Sequence, residues 1–363
     1  MSDPNHEIAR KLLEQLGVQA QDLLPKSDPA PAPTFDEYIA RIIPTVSAGT
    51  LRTYGTYWQR LRNEWGTRRL DDPTSLEMQA LVERIRAGAV KRRNSRGGRS
   101  AAEHMVSALR YLYRFAANDG YVRTSNAATE LIKPRRLPSP RGAIAAERLH
   151  EVIEVVTTTG DDVELDTLLL RLHLETACRT GSALAIRPAD LDTRQRLVKL
   201  RGKGGTVHWQ PISTALLAML TAHCARGDDP DGQLLRYRYG RPITRRRYDH
   251  LWMRAGRQLP WVATQQVSTH WLRHTVLTWV ERNFGYAVAR AYAAHAVQYT
   301  PGGATLTYVR ASVHEVADAV SALTSELHPL AVGQSTTSRV LSPLPLPVWT
   351  PRGGPSIHPS IDQ

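Results

Sequence analysis

The order of apolar and polar residues predicts helices over most of the chain between residues 35 and 131. Apolar residues recur at steps of three and four, as on one face of a helix, at Leu51, Tyr54, Trp58, Leu61 and Trp65. Ser47 precedes this stripe and is suited to cap the helix. A second stripe, which we expect Ser100 to cap and Asp119-Gly120 to end, consists of Met105, Leu109, Leu112 and Phe115.

The pattern changes once in the second half of the chain. Helical periodicity resumes at Ala143 and continues to about Leu327, except for two short runs of strand-forming residues at 196–201 and 206–212. The GKGG sequence at 202–205 lies between those runs and is typical of the turn of a β-hairpin. The predicted fold class is mainly α, with a small β-hairpin in the second half.

Composition along the chain divides it into five segments. A short helix and a proline-rich spacer occupy residues 1–33, which are too few for an independent domain. A helical domain is predicted over 34–132 and a second, mixed α/β but mostly helical domain over 143–327. Between them, residues 133–142 combine four cations with three prolines and are interpreted as a basic linker. Residues 328–363 hold seven prolines with little periodicity, and we expect a disordered tail.

The charge balance indicates a polyanionic partner. Lys plus Arg number 47 against 34 Asp plus Glu, giving a formal net charge of +13, which suits nucleic acid or an anionic lipid surface. The two cysteines, Cys178 and Cys224, exclude a disulfide scaffold and favour a reducing compartment. No apolar run approaches the ~18 residues of a membrane span, and the first residues lack the pattern of a secretory signal. We therefore expect a cytoplasmic protein without a membrane partner.

One predicted helix carries a cluster of polar side chains within the sequence HWLRHT at 270–275. On a helix, His270, Arg273 and His274 share a face. Leu272 and Val276 lie on the opposite face and can anchor the helix in a core. We expect the two imidazoles and the guanidinium to point outward, either as an ordinary polar face or as part of a functional site.

Four further residues could carry chemistry, although none is specific when taken alone. Arg179 stands at a Thr-Gly turn after an apolar helix. It could be a solvent-exposed charge, the partner of a carboxylate or, because the neighbouring glycine lets a phosphate approach closely, a phosphate ligand. Lys203 lies at the hairpin tip, where it either aids solubility or donates a proton. His295 and Tyr308 flank a glycine-bearing turn near the end of the second domain.

In chain order these residues resemble the catalytic series of the tyrosine recombinase (phage integrase) family. LRHT at 272–275 and the GKGG hairpin match that family's pattern, and the resemblance extends from about residue 35 to 325. It implies a helical core-binding domain followed by a mostly helical catalytic domain. It also implies a first catalytic Arg, a hairpin Lys, a His-x-x-Arg pair, a residue at the His/Trp position and a nucleophile, in the order Arg179, Lys203, His270, Arg273, His295 and Tyr308.

The chain departs from the family pattern at three places. Ala294 stands where the family usually has Gly, and Ser182 stands where it commonly has an acid three residues after the first Arg. Tyr308 follows His295 by thirteen residues, a longer separation than usual. Tyr299 is a competing nucleophile, but it lies only four residues after His295 and leaves no loop before it.

The resemblance implies a site-specific recombinase of integrase type that moves a mobile element through a covalent 3′-phosphotyrosine. The alternatives are an Xer-like resolvase of chromosome or plasmid dimers and a non-catalytic DNA-binding factor. The implied partners are double-stranded DNA at specific recombination sites and three further copies of the chain, which form a tetramer on that DNA. The free protein would be a monomer or a weak oligomer. The implied location is a prokaryotic or phage-infected cell. We expect no cofactor and no metal, because the sequence holds no GxxxxGK[ST] loop, no carboxylate pair for magnesium and no Cys/His zinc spacing.

Two basic segments are candidates for DNA contacts. The run KRRNSRGGR at 91–99 places five cations around two glycines, and it is either a solvated loop or a phosphate-contacting loop. The linker can lie against DNA if the protein wraps the duplex. The residues expected to contact phosphates are Lys91, Arg92, Arg93, Arg96, Arg99, Lys133, Arg135 and Arg136.

An apolar stripe follows the proposed nucleophile. Its residues alternate steps of four and three at Val309, Val313, Val316, Val320, Leu323 and Leu327. The helix that they predict either completes its own domain or docks on a neighbouring protomer. We hypothesise that residues 312–327 dock on the neighbour.

Overall fold

The computed structural model of the chain consists of two compact units, Met1–Pro138 (unit 1) and Ser139–Gln363 (unit 2). Their boundary falls inside the segment that the sequence analysis interprets as a linker. No helix in the described part of the chain is long and apolar enough to cross a membrane. The structure describes residues 12–13, 15, 31–89, 98–135, 142–202, 205–294, 311–332 and 343–347.

Unit 1 is helical throughout its described part. Its helices are α1 (Phe35–Ile42), a 3₁₀ turn (Ile43–Thr45), α2 (Ala48–Trp65), α3 (Ser75–Ala87), α4 (Arg99–Asn118) and α5 (Ala127–Glu130).

The predicted caps of two helices in unit 1 have different outcomes. The Ser47 side chain accepts a hydrogen bond from the Thr50 amide and caps α2, as predicted. The prediction that Ser100 caps α4 is wrong, because the N-cap is Gly98 and the helix therefore begins two residues earlier than predicted. Gly98 has φ +71, a left-handed conformation that glycine adopts at little steric expense. The end of α4 near Asp119 is confirmed.

The two predicted stripes meet in the core of unit 1. Trp58 of α2 is 1% exposed, and its indole N–H donates to the Ala108 carbonyl of α4 at 3.3 Å. Leu61, Met105 and Leu109 are also buried there. Burying these side chains stabilises the unit by about 1.5–3 kcal/mol each. The pairing of the two stripes therefore fixes α2 against α4.

Unit 2 is mostly helical with one small sheet, so the predicted fold class is confirmed. Its helices are α6 (Ala146–Thr158), α7 (Val163–Thr176), α8 (Thr180–Ala183), a 3₁₀ turn (Pro188–Asp190), α9 (Thr214–Cys224), α10 (Arg245–Gln258), α11 (Pro260–Gln265), α12 (Thr269–Tyr292) and α13 (Val313–Thr324).

The sheet of unit 2 contains the predicted hairpin. Strands β2 (Leu197–Arg201) and β3 (Val207–Pro211) pair antiparallel, with Lys199 opposite Trp209. The sequence did not predict strand β1 (Leu191–Asp192), which pairs with β2. Two residues are too short a run to show an alternating pattern, and only pairing with β2 defines this strand.

Helix α7 is buried on all sides from Leu165 to Thr176. Its charged residues are compensated by partners from other elements. Asp166 is fully buried and accepts hydrogen bonds from Arg247 and Arg254 of α10, each at 2.7 Å. Removing one partner of such a buried pair costs about 3–5 kcal/mol. The buried helix thus holds the start of the turn that follows it, at Ala177 to Arg179, in a fixed position.

The C-terminal region is more ordered than the sequence suggests. Val316, Val320 and Leu323 of α13 are buried in the core of unit 2, so the helix completes its own unit in this structure. Disorder over 328–363 does not hold for the described parts. His328 is 2% exposed, and Pro347 is buried with its carbonyl accepting from Arg171 at 2.9 Å.

Candidate active site

Arg179 projects from a turn at the end of the buried helix α7. The helix stops at Ala177, which takes a left-handed conformation with φ 49 and ψ 19. Two residues later, the extended backbone of Arg179 (φ −80, ψ 150) begins the short helix α8. The Arg179 side chain is exposed. The exposed Arg179 is therefore attached to the end of the buried helix α7.

Arg273 approaches the same turn from α12, and it is buried rather than outward-facing. Only 6% of the residue is exposed. Its guanidinium donates hydrogen bonds to the carbonyl of Ala177 and, at 2.7 Å, to that of Ala293. The prediction of an outward Arg273 is wrong because these main-chain carbonyls, unseen in the sequence, satisfy the charge inside the unit.

The two arginines influence each other electrostatically. Burial and, to a smaller extent, the positive charge of Arg179 together lower the pKa of Arg273 to about 10. Arg273 remains protonated at neutral pH. Burial and the charge of Arg273 also lower the pKa of His208 on β3. The sequence analysis did not identify His208, which is recognised only because the sheet carries it towards Arg273.

The His270 and His274 side chains share one face of α12, as predicted. Their ring centroids are 5.0 Å apart and the rings are nearly perpendicular, at 88°. His270 is exposed and His274 is half-buried. In the described part of the chain, no group of three or more His, Cys, Asp or Glu is arranged to hold a metal ion.

Three of the six proposed catalytic residues, Lys203, His295 and Tyr308, lie outside the described residues. The described chain reaches Gly202 on one side of the hairpin tip, where its amide donates to the Thr206 carbonyl at 2.6 Å. It resumes at Gly205, ends again at Ala294, and continues from Ala311, two residues before α13 begins.

Strand β2, which leads to the hairpin tip, is tied to the segment after α8. The Arg201 guanidinium donates to both carboxylate oxygens of Asp190, at 2.7 Å to Oδ1, and to the Ala185 carbonyl at 3.1 Å. The Asp190 carboxylate is buried, whereas the Arg201 side chain is 30% exposed. The strand before position 203 is therefore fixed relative to the helix that begins after Arg179.

The predicted DNA-contacting residues are only partly within the described structure. Arg99 is the first residue of α4, Arg135 is exposed, and Lys133 pairs with Glu103 at 3.6 Å. The remaining candidates lie outside the described residues: Lys91, Arg92, Arg93, Arg96 and Arg136.

The structure adds two exposed arginines that the sequence analysis missed. Arg245 and Arg246 begin α10 and are exposed, whereas the adjacent Arg247 is buried and paired with Asp166. The Arg245 guanidinium lies near Gly181: its Nη2 is 3.8 Å from the position that a Cβ atom would take on this glycine. The triple arginine run was the available signal, but the sequence could not separate its buried member from its exposed ones.

Comparisons with known proteins agree with this architecture. Residues 144–300 match the model of the phage integrase family. Tyrosine recombinase XerD of Mycobacterium tuberculosis is 31% identical over 197 residues, which cover 49% of this chain and 60% of that protein. The chain thus matches less than two thirds of the length of this curated relative.

Two solved structures share the fold at 15% sequence identity. A lambda integrase tetramer bound to a Holliday junction superimposes with a TM-score of 0.57, covering 82% of this chain and 89% of that chain. The Tn1549 transposon integrase in complex with circular intermediate DNA gives 0.58, covering 79% and 98%. From the family match and the XerD similarity, residues 144–300 are assigned to the phage integrase (tyrosine recombinase) family, whereas the solved structures show that the fold is shared.

Proposed function

We propose that the chain is a site-specific DNA recombinase of integrase type, which cuts and rejoins DNA through a covalent 3′-phosphotyrosine at Tyr308. The observation that carries this proposal is the meeting of Arg179 and Arg273 at the end of α7. One of these guanidiniums is exposed and the other is held by two carbonyls. Such an arrangement suits a phosphodiester, whose two non-bridging oxygens carry the negative charge.

In the proposed reaction, the arginines stabilise the negative charge that gathers on the non-bridging oxygens in the transition state. Because Arg273 is already fixed by main-chain carbonyls, little reorganisation is needed when the phosphate arrives. Loss of one such electrostatic donor typically slows the chemical step by a factor of about 100–1000.

The proton transfers are assigned to the remaining residues of the series. A tyrosine hydroxyl has a pKa near ~10, so Tyr308 needs a base and positive surroundings to attack. His270 accepts its proton as the oxygen–phosphorus bond forms. Lys203 donates a proton to the leaving 5′-oxygen as the phosphorus–oxygen bond breaks, and His295 donates a hydrogen bond to a non-bridging oxygen. A 5′-hydroxyl of another strand then reverses these steps and reseals the DNA.

The proposed partner is double-stranded DNA, bound by four copies of the chain in the cytoplasm. The net charge of +13 supports a polyanionic partner. The phosphate-contacting residues would include the basic loop and linker together with Arg245, which lies near Gly181, and the adjacent exposed Arg246.

A second candidate function is resolution of chromosome or plasmid dimers, which the similarity to XerD favours. Both functions use the same chemistry and differ only in their DNA sites. Sequencing the junctions formed in cells that carry this gene beside candidate sites separates them. Element–chromosome junctions indicate an integrase, and regeneration of a single site indicates a resolvase.

The chemistry is tested with a nicked suicide substrate, which traps the protein on DNA because the cleaved fragment diffuses away. Wild type should form a protein–DNA adduct that survives denaturation, and Tyr308→Phe should form none. Tyr299→Phe is the matched control and should form the adduct. An adduct in Tyr308→Phe contradicts the assignment of the nucleophile, and no adduct in wild type favours the non-catalytic DNA-binding alternative.

A further inference from the structure

Two buried aromatic side chains, His173 and Tyr248, meet beneath the turn that carries Arg179. His173 lies in the last turn of α7 and is 1% exposed, and Tyr248 of α10 is 5% exposed. The imidazole Nδ1 is 3.0 Å from the carbonyl oxygen of Cys178, and Nε2 is 3.1 Å from the Tyr248 hydroxyl. Cys178 directly precedes Arg179.

The chemistry of the three groups decides which atom donates and which accepts in each of the two hydrogen bonds. A carbonyl oxygen only accepts, so Nδ1 of His173 carries a proton and donates to Cys178. A neutral imidazole has one N–H, so Nε2 accepts from the Tyr248 hydroxyl. Burial lowers the pKa of His173 to about 4, which keeps the ring neutral at pH 7. The Tyr248 hydroxyl therefore donates to His173, and His173 donates to the Cys178 carbonyl.

The turn needs such support because its backbone is strained. Ala177 holds φ 49, a left-handed conformation that costs a residue with a Cβ roughly 1–2 kcal/mol. Surrounding contacts must hold a strained residue in place. Here the Thr176 hydroxyl accepts from the Cys178 amide at 3.2 Å, and Arg273 binds the Ala177 carbonyl. His173 supplies a further contact, on the Cys178 carbonyl.

The position three residues after Arg179 strengthens the argument. Ser182 is 8% exposed, and its amide donates to the Arg179 carbonyl at 2.8 Å. A serine hydroxyl has no charge with which to hold a guanidinium. The described contacts that restrain Arg179 therefore act on its backbone.

We propose that His173 and Tyr248 are positioning residues for Arg179: a neutral hydrogen-bond relay from the Tyr248 hydroxyl through the imidazole to the Cys178 carbonyl sets the direction in which the Arg179 guanidinium leaves the turn. The inference rests on the proposed function, since it assigns Arg179 to the scissile phosphate. The relay acts on the reaction only through Arg179, without touching DNA.

Two substitutions of His173 separate the two hydrogen bonds of the relay. In His173→Asn, the side-chain amide takes the place of Nδ1 and keeps the bond to Cys178, but it does not reach Tyr248. In His173→Gln, the amide reaches the place of Nε2 and loses the bond to Cys178. Because misplacement of a catalytic group by about 1 Å can cost a factor of about 100, we expect Gln to slow cleavage about 10- to 100-fold and Asn only a few-fold. DNA affinity should stay within about two-fold for both, because the phosphate-contacting residues are unchanged.

The decisive measurement is the single-turnover cleavage rate of His173→Gln in two backgrounds. If the relay acts through Arg179, the substitution slows the otherwise wild-type protein but adds no further loss in Arg179→Ala. A merely structural role slows both backgrounds by the same factor, and this result overturns the inference. His223→Gln is the matched control: His223 is also buried, at 6% exposure, but binds the Arg236 amide, so it should lower thermal stability and leave cleavage unchanged.

The relay is also visible without DNA. Nitrogen-15 spectra of the intact protein at pH 7 should show His173 neutral and protonated at Nδ1, and Tyr248→Phe should shift Nε2. A ring protonated at Nε2, or equal cleavage by the Asn and Gln variants, overturns the relay while the adduct of wild type still supports the recombinase. If wild type forms no adduct, the proposed function fails and the positioning role fails with it.

Discussion

The Arg273 guanidinium donates a hydrogen bond to the carbonyl oxygen of Ala177, the residue that ends α7 two positions before Arg179. One arginine of the proposed site thus supports the turn that presents the other. The same contact explains why Arg273 is buried although it lies in a polar stretch of sequence. It also links any change at Arg273 to the position of Arg179.

Arg273→Lys is predicted to reduce adduct formation on the suicide substrate by about 100- to 1000-fold, because lysine cannot supply a planar fork of donors. A single ammonium also cannot reproduce both carbonyl contacts, so the melting temperature should fall. Arg257→Lys is the control, since Arg257 is exposed on α10. Wild-type cleavage by Arg273→Lys contradicts the role assigned to Arg273.

Lys203→Ala is predicted to recover cleavage when the 5′-bridging oxygen of the substrate is replaced by sulfur. A thiolate leaves without protonation, whereas an alkoxide does not. The measurement compares cleavage rates of wild type and variant on both substrates. Equal impairment on the two substrates removes the general-acid role from Lys203.

Arg245→Ala and Arg246→Ala are predicted to weaken DNA binding without altering its sequence preference. Each lost phosphate contact should reduce the slope of log affinity against log salt by about one. The control is Arg194→Ala, because Arg194 is exposed in the turn at the opposite end of β2 from the hairpin tip. An unchanged salt slope in both α10 variants shows that the start of α10 does not contact DNA.

The free energy of unfolding is predicted to decrease as the pH falls from about 6.5 to about 4. Burial lowers the pKa of His173 and of His223 to about 4, below the value of 6.5 that is usual for an exposed imidazole. In this range the unfolded chain binds protons that the folded chain does not, so stability falls with pH by up to about 1.4 kcal/mol per pH unit for each histidine.

Denaturant unfolding between pH 7 and pH 5 measures this dependence. His223→Gln should remove the contribution of one proton from the slope and leave that of His173 in place. A slope that is the same in wild type and His223→Gln rules out this explanation for the acid sensitivity.

Removal of residues 343–363 is predicted to destabilise unit 2 by about 1–3 kcal/mol. Leu344 and Leu346 pack against its core, and Arg171 loses the Pro347 carbonyl. Removal of 348–363 alone keeps those contacts and is the matched control. Similar melting temperatures for the two truncations contradict this prediction.

The apolar stripe of α13 suggested that residues 312–327 dock on a neighbouring protomer. Deleting residues 312–363 does not test this docking. Val316, Val320 and Leu323 are part of the core of unit 2, so this deletion should expose the core and unfold the unit. Loss of the entire α13 therefore reports on folding rather than on assembly.

The sequence alone determined the elements whose cause is local. Helical periodicity placed α2, α4 and α12, and the glycine turn placed the β2–β3 hairpin, because side-chain spacing and turn chemistry act between neighbouring residues. The order of motifs was sufficient to suggest the family that residues 144–300 match. The cap of α4 was mistaken because serine and glycine stand close together and both can start a helix.

Only the tertiary structure decided which of these side chains meet. Arg273 is held by a carbonyl 96 residues earlier in the chain, and His173 by a hydroxyl 75 residues later. Neither partner leaves a local pattern: a main-chain carbonyl exists at every residue, and a buried Tyr or His has no spacing rule. Whether a charged side chain is buried or faces solvent depends on such distant partners, so the sequence could propose the residues of the site but not their support.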